Sequence, residues 1–523
     1  MKRRALLASA AAGLVAAARP ARAAPNVLRY VPGSNLTLLD PIWSTAYVSL
    51  CHGYAVFDAP YGADDNQVAK PQMAEGHEVS ADGRTWTIRL RDGLKFHNGE
   101  KVRAVDAAAS LARWAARQPT GRVVGAFVDS WTATDDRTVK VALKRPLATL
   151  AYMLGNSAFP PFVMPEHLAK TDPTKQVSDM IGSGPVRFVA DEYVSGSKVV
   201  YEKFTDYAPR AEAAVWTAGG KRALVDRLEW RVIADSATAV SALRQGEVDW
   251  VERPEADLRS LLKADREIVF DTIDPTGWAG FIRFNQLQKP FNNEKIRQAV
   301  MMAVNQADYL RIATGDDAAS STICKSVFPC ATPLGRPTAG ADAMRGDLDA
   351  ARALLAAGGY AGERVVILRA ADLPPYGDFA TLTADVLKRI GMNIDLVTSD
   401  WGTITQRRAK KEPVDQGGWS IFISGVNGPG LLNPAVNFLV RGQGEAGYFG
   451  WYENAEVEKL ASEWLQSDTE ADRTRLADLI QGIAFRTVPF VPLGQYVVPT
   501  AYRRNVSGVL QGPATLPWNV RKG

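Results

Sequence analysis

Short segments rich in β-branched and aromatic residues alternate with capped amphipathic segments along almost the whole chain, and few architectures accept that alternation. Strands are predicted at 26–31, 228–233, 281–284, 365–368 and 394–397, with helices between them. Asp235-Ser236 can cap a helix carrying Ala239 and Leu243 and closed by Gly246. Asp347 can cap 348–357, where Gly358-Gly359 ends the run, and Asn292-Asn293 precede a helix whose apolar face is Ile296, Val300, Met301 and Val304. The alternation predicts an α/β fold, and 523 residues exceed what one hydrophobic core serves, so two or more domains are expected.

The N-terminus predicts export. Lys2, Arg3 and Arg4 precede an apolar stretch from Ala5 to Ala18, and Ala21-Arg22-Ala23 has small-x-small cleavage character, so a signal peptide over 1–23 is expected. The stretch falls short of the roughly 20 apolar residues of a membrane-spanning helix. Arg3-Arg4 before Leu6-Leu7 leaves the general secretory and twin-arginine routes both open. Losing Lys2, Arg3, Arg4, Arg19 and Arg22 with the leader takes 61 basic residues down to 56, against 57 acidic ones. A nearly neutral mature chain gives no reason to expect nucleic acid or an anionic membrane as partner.

Motifs for catalysis are mostly missing. His52, His77, His97 and His167 are scattered without HExxH or CxxC partners, so no metal site or cofactor is expected. No phosphate loop, dinucleotide fingerprint or GxSxG elbow occurs, and Ser195-Gly-Ser-Lys198 matches SxxK without the Lys-Thr-Gly that would complete the set. No catalytic residue is assigned. A secreted hydrolase using carboxylates that sequence cannot place is the alternative reading. Cys324 and Cys330, six residues apart in an oxidising compartment, are expected to form a disulfide contributing about 2 kcal/mol, with Cys51 left as a small buried hydrophobe.

Several segments together carry a family likeness. Leu39-Asp40-Pro41, the run Asp82 to Gly99, Ala104-Val-Asp106, Gly182-Ser-Gly-Pro185, Phe284-Asn285 with Pro290-Phe291, Ile296 to Ala299, Ala351 to Leu355 with Gly359-Tyr360, and Gly418-Trp419 recur in order, and the chain resembles the family 5 extracellular solute-binding proteins. That resemblance implies a two-lobed, hinged fold of the periplasmic-binding-protein kind and service to an ABC importer. The implied division is lobe I over 24–272 with an extra subdomain at about 58–181, lobe II over 273–488, and a return to lobe I over 489–523. Crossings are expected near Asp271 to Gly277 and near Thr487 to Pro492, where prolines and glycines punctuate the pattern. The resemblance further implies a monomer that captures a peptide, peptide-like or other small organic solute and docks on permease subunits, while ATP hydrolysis occurs on another subunit.

The ligand clamp of dipeptide-binding relatives is not matched. Gly418 to Gly430 contains no acid to pair with a peptide amine, and Pro374 stands where a carboxylate-binding arginine would align, with Arg369 a displaced substitute. The expected ligand-binding residues are Trp419, Asn427, Tyr376, Trp278 and Tyr47, with Trp419 foremost because it follows Gly417-Gly418 in the segment resembling the family's cleft loop. Aromatic rings with one amide predict a ligand with apolar or planar surface and few formal charges.

Overall fold

The computed structural model describes residues 25–523 except Asp316, Ala331, Ala339 and Asp468. The leader expected over 1–23 lies outside the described residues. Two mixed sheets organise the chain. The first has seven strands in the order Ile268–Asp271, Thr500–Arg503, Trp250–Val251, Val27–Val31, Arg227–Arg231, Lys198–Lys203 and Val186–Phe188. Val27–Val31 runs parallel to both neighbours, and the pairings outside them are antiparallel. The second has six strands in the order Ser321–Thr322, Phe490–Tyr496, Trp278–Phe284, Ile421–Asn427, Arg364–Ala370 and Asn393–Ser399. Its middle is antiparallel, whereas Arg364–Ala370 lies parallel to both of its neighbours.

Helix ends form where cap chemistry allows. The Asp235 carboxylate accepts from Thr238 N at 2.7 Å, and Gly246 closes that helix with φ of 80°, a conformation most side chains resist. Asn293 and Asp347 cap their helices in the same way. The disulfide between Cys324 and Cys330 is present, and Cys51 is buried, its thiol pKa raised by burial.

Between Tyr61 and Ala169 a four-stranded antiparallel sheet and four helices form the subdomain, whose strand Thr85–Leu90 alternates as expected for a half-buried face. Two buried ion pairs lie at its junction with the rest of the chain: Arg113 donates to Asp40 at 2.6 Å, and Lys221 donates at 2.8 Å to Asp58, whose backbone pairs with Val163. Each carboxylate also accepts further hydrogen bonds, from Val177 N and Tyr207 Oη respectively, which offsets the desolvation of the pair.

The first crossing between sheets lies between Asp271 and Trp278. The second does not lie at 487–492. Phe490–Tyr496 pairs with Trp278–Phe284 inside the second sheet and only Thr500–Arg503 joins the first, so the chain returns through 497–499. Pro492 had marked a boundary in the sequence, but it sits opposite a register shift between Ala279 and Phe281, where a strand tolerates the missing donor.

Candidate functional site

A cleft opens between the two lobes at the end of the second sheet where Trp278 begins one strand and Asn427 ends its antiparallel neighbour, the two residues facing each other in register. Both line the cleft, as do Tyr376 and Tyr47. Tyr47, the first residue of helix Tyr47–Val56 in lobe I, meets the Trp278 ring edge-on at 4.9 Å between centroids. Tyr376 opens helix Tyr376–Arg389 and sets its hydroxyl end against Gly425, where any Cβ would stand 2.0 Å from its hydroxyl oxygen. The Tyr496 hydroxyl donates to that oxygen at 3.1 Å, and burial raises the Tyr376 pKa. The Asn427 amide donates to the Pro513 carbonyl at 2.8 Å, tying lobe II to the C-terminal return of lobe I.

Trp419 is not part of this cleft. It is fully buried against Phe422 and Trp451, with ring centroids 5.1 and 5.8 Å away, and its carbonyl accepts from the Asn285 amide. The reason is strand length: Trp419 lies two residues before strand Ile421–Asn427 and Asn427 ends it, and the strand alone, at about 3.3 Å per residue, spans about 20 Å. Arg369 also lies elsewhere, donating to Thr381 Oγ1 on the outer face. Lys198 of the SxxK match is paired with Glu192.

Two arginines that the sequence reading did not include also line the cleft. The Arg253 guanidinium is held over Tyr47 at 4.2 Å and over Trp278 at 4.1 Å, bringing together rings from both lobes. Burial is the largest single influence and opposes its charge, but the Glu252 carboxylate, with Tyr47, Tyr376 and Cys51 adding to it, outweighs burial and the pKa rises. Arg408 of lobe II lines the cleft beside Trp401 and reaches across to Thr45 Oγ1 at 3.1 Å, its pKa lowered by burial. A signal for Arg253 exists in the sequence: Glu252-Arg253-Pro254 directly follows strand Trp250–Val251, and ligands in open α/β sheets bind outside the carboxyl ends of strands. For Arg408 the sequence offers no comparable signal.

Among the described residues no three His, Cys, Asp or Glu side chains stand close enough to hold a metal ion, and no helix is long and apolar enough to cross a membrane. The site offers stacking surfaces, amide and hydroxyl groups and fixed positive charge. These are means of holding a solute.

The comparisons with known proteins agree on one lineage. The model of the middle region of the bacterial extracellular solute-binding proteins, family 5, matches residues 68–447. A probable peptide ABC transporter periplasmic-binding protein of Sinorhizobium fredii, y4tO, is 37% identical over 93% of this chain and 92% of its own. The glutathione-binding protein GsiB of Escherichia coli O6:K15:H31 is 27% identical over 94% of this chain and 93% of its own. In three dimensions the chain superposes with a TM-score of 0.80 on the periplasmic binding protein AgaA of A. tumefaciens R10, solved with agropinic acid, at 20% identity over 95% of this chain and 99% of that one. A dipeptide-binding protein of Pseudoalteromonas sp. SM9913, solved with Met-Leu, gives 0.77 at 19% identity over 95% of this chain and 100% of that one. With the family model covering most of its length and a full-length relative at 37% identity, the chain belongs to the family 5 bacterial extracellular solute-binding proteins.

Proposed function

We propose that this protein is exported to the periplasm with cleavage near Ala23, captures a small organic solute between its lobes as a monomer, and presents the closed form to the permease of an ABC importer. The observation that carries this reading is a cleft built from both lobes at once, with Tyr47 and Arg253 contributed by one and Trp278, Tyr376 and Asn427 by the other. A solute touching both walls stabilises closure by its higher affinity for the closed arrangement, and closure is the signal a permease can read. Peptide-like solutes are favoured by the names of y4tO and GsiB. The Glu252 carboxylate does not supply a free partner for a peptide amine, since it accepts from Gly33 N and Thr515 Oγ1, both at 2.6 Å.

The test is mass spectrometry of small molecules released from natively purified protein, followed by small-angle scattering before and after the released compound is returned. Retention of an intact compound and a smaller radius on its return support capture. An unchanged radius at saturation removes closure from the account, and conversion of the compound to a product restores the hydrolase reading.

A further inference from the structure

We propose that the cleft is built for a solute carrying two acidic groups, one received by Arg253 and the other by the cluster around Arg408; this rests on the capture reading above. The Arg253 guanidinium lies against both the Tyr47 and Trp278 rings, yet its Nη2 is buried with no hydrogen-bond partner. It stands in no ion pair among the described residues, and the adjacent Glu252 directs both carboxylate oxygens to other donors. A guanidinium carries five N–H donors in a rigid fork that matches a carboxylate, and buried donors left unpaired are costly.

Arg408 repeats the pattern on the other wall. Its Nη2 donates to Thr45 Oγ1 at 3.1 Å and its Nη1 to Tyr448 Oη at 3.4 Å, while Nε is buried without a partner. Thr45 and Tyr448 are shared with an adjoining cavity in the same seam, where Arg117 and Arg122 are also found. These two donate only to neutral carbonyls, Arg117 to Trp43, and Arg122 to Ala116 and to Ala446 and Gly447 of the opposite lobe. Burial lowers the Arg117 pKa to about 10, with the Arg122, Arg113 and Arg408 charges adding to the effect against Asp40. Asp40 is already committed to Arg113, and Arg441 in the same cavity is matched by Glu458. Across both cavities Glu252 supplies the one lining carboxylate among the described residues.

Arg253 and Arg408 both line the cleft, and only the Arg408 side continues, through Thr45 and Tyr448, into the adjoining cavity that holds Arg117 and Arg122. Two guanidinium sites that stand in no direct ion pair among the described residues, set beside aromatic rings, are complementary to a dianion with an apolar or planar middle.

A ladder of probes of nearly constant shape tests this: N-acetyl-Ala-Glu with two carboxylates, N-acetyl-Ala-Gln with one, and N-acetyl-Ala-Gln amide with none, each titrated calorimetrically at fixed ionic strength. Affinity should rise about tenfold per carboxylate, in line with a charge-assisted hydrogen bond. Arg253→Gln and Arg408→Gln should each remove one step of the ladder, whereas Arg369→Gln, outside the cleft, should preserve both. Equal affinity across the ladder in the unaltered protein, absence of binding by all three included, overturns the proposal whether or not the variants fold. A retained natural solute that proves neutral would also sink it while leaving capture intact; a protein that retains nothing and never closes would sink capture itself.

Discussion

Replacing Trp419 and Trp278 separately by alanine distinguishes core from cleft with one pair of measurements. Trp419 is wholly buried between Phe422 and Trp451, so Trp419→Ala leaves a void lined by rings that cannot collapse freely. Large aromatic truncations of this kind lower folding stability by about 3–5 kcal/mol, a large part of the roughly 5–15 kcal/mol that holds a typical domain together. Affinity in the molecules that remain folded should change far less than stability, because Trp419 does not line the cleft and reaches it only through Phe422. Trp278→Ala instead removes a ring pair with Tyr47 and one of the two faces that hold Arg253. An aromatic pair of about 0.5–1.5 kcal/mol and a cation–π contact of about 0.5–2 kcal/mol together weaken binding by roughly thirtyfold. Urea unfolding of unliganded protein gives the first quantity, and titration with the solute carried by purified protein gives the second. A Trp419→Ala protein with an unchanged urea midpoint and tenfold weaker binding would refute the placement of Trp419 in the core.

Three further outcomes are expected. Gly425→Ala should destabilise the fold by about 1–3 kcal/mol and weaken binding, since its Cβ would stand 2.0 Å from the Tyr376 hydroxyl oxygen; the stability loss should largely vanish in a Tyr376→Ala background, as unfolding of the double variant can check. Asp274, in the crossing between the sheets, has its Oδ2 buried without a partner, and burial pushes its carboxyl up to about 7. Above the unfolded value near 4 the native state holds the extra proton, so this group makes stability fall as pH rises from about 4 to about 7, by roughly 4 kcal/mol at most, and level off beyond. Asp274→Asn should flatten that part of the profile when unfolding is followed across pH. Thiol titration without reductant should find no accessible thiol in the native protein and one after unfolding, because Cys324 and Cys330 are joined and Cys51 is buried.

Most of the framework was legible because its signals are local. Asp235, Asn293 and Asp347 cap the helices they precede, and each expected strand falls within or beside an observed one, because a cap or an alternation acts within a few residues of itself. The motifs behind the family likeness are largely framework too. The Asn285 amide holds the Trp419 carbonyl, Arg297 gathers the carbonyls of Thr487, Val488 and Phe291, and Gly182 lies where a Cβ would be 2.0 Å from the Val56 carbonyl oxygen. The misplaced second crossing follows from the same locality. Pro492 breaks a strand when read alone, but a bulge beside it in its own strand accommodates it, and Pro499 marks the actual return.

The cleft was legible only in part because its chemistry is assembled from distant segments. Tyr47, Tyr376, Trp278 and Asn427 could be found from aromatic and amide residues near expected turns, yet Trp419 satisfied the same criterion and faces the opposite end of its sheet. Along a strand, neighbours in sequence can be far apart in function, since each residue adds about 3.3 Å and the cleft lies beyond one end only. Arg253 was missed for the complementary reason. In sequence it is one charge in Glu252-Arg253-Pro254-Glu255, a composition typical of solvated surface, and its burial depends on a ring from each lobe closing over it. Whether an arginine is a surface charge or an anchor for an anion is decided by what the rest of the chain places against it, and here that is Tyr47 from one lobe and Trp278 from the other.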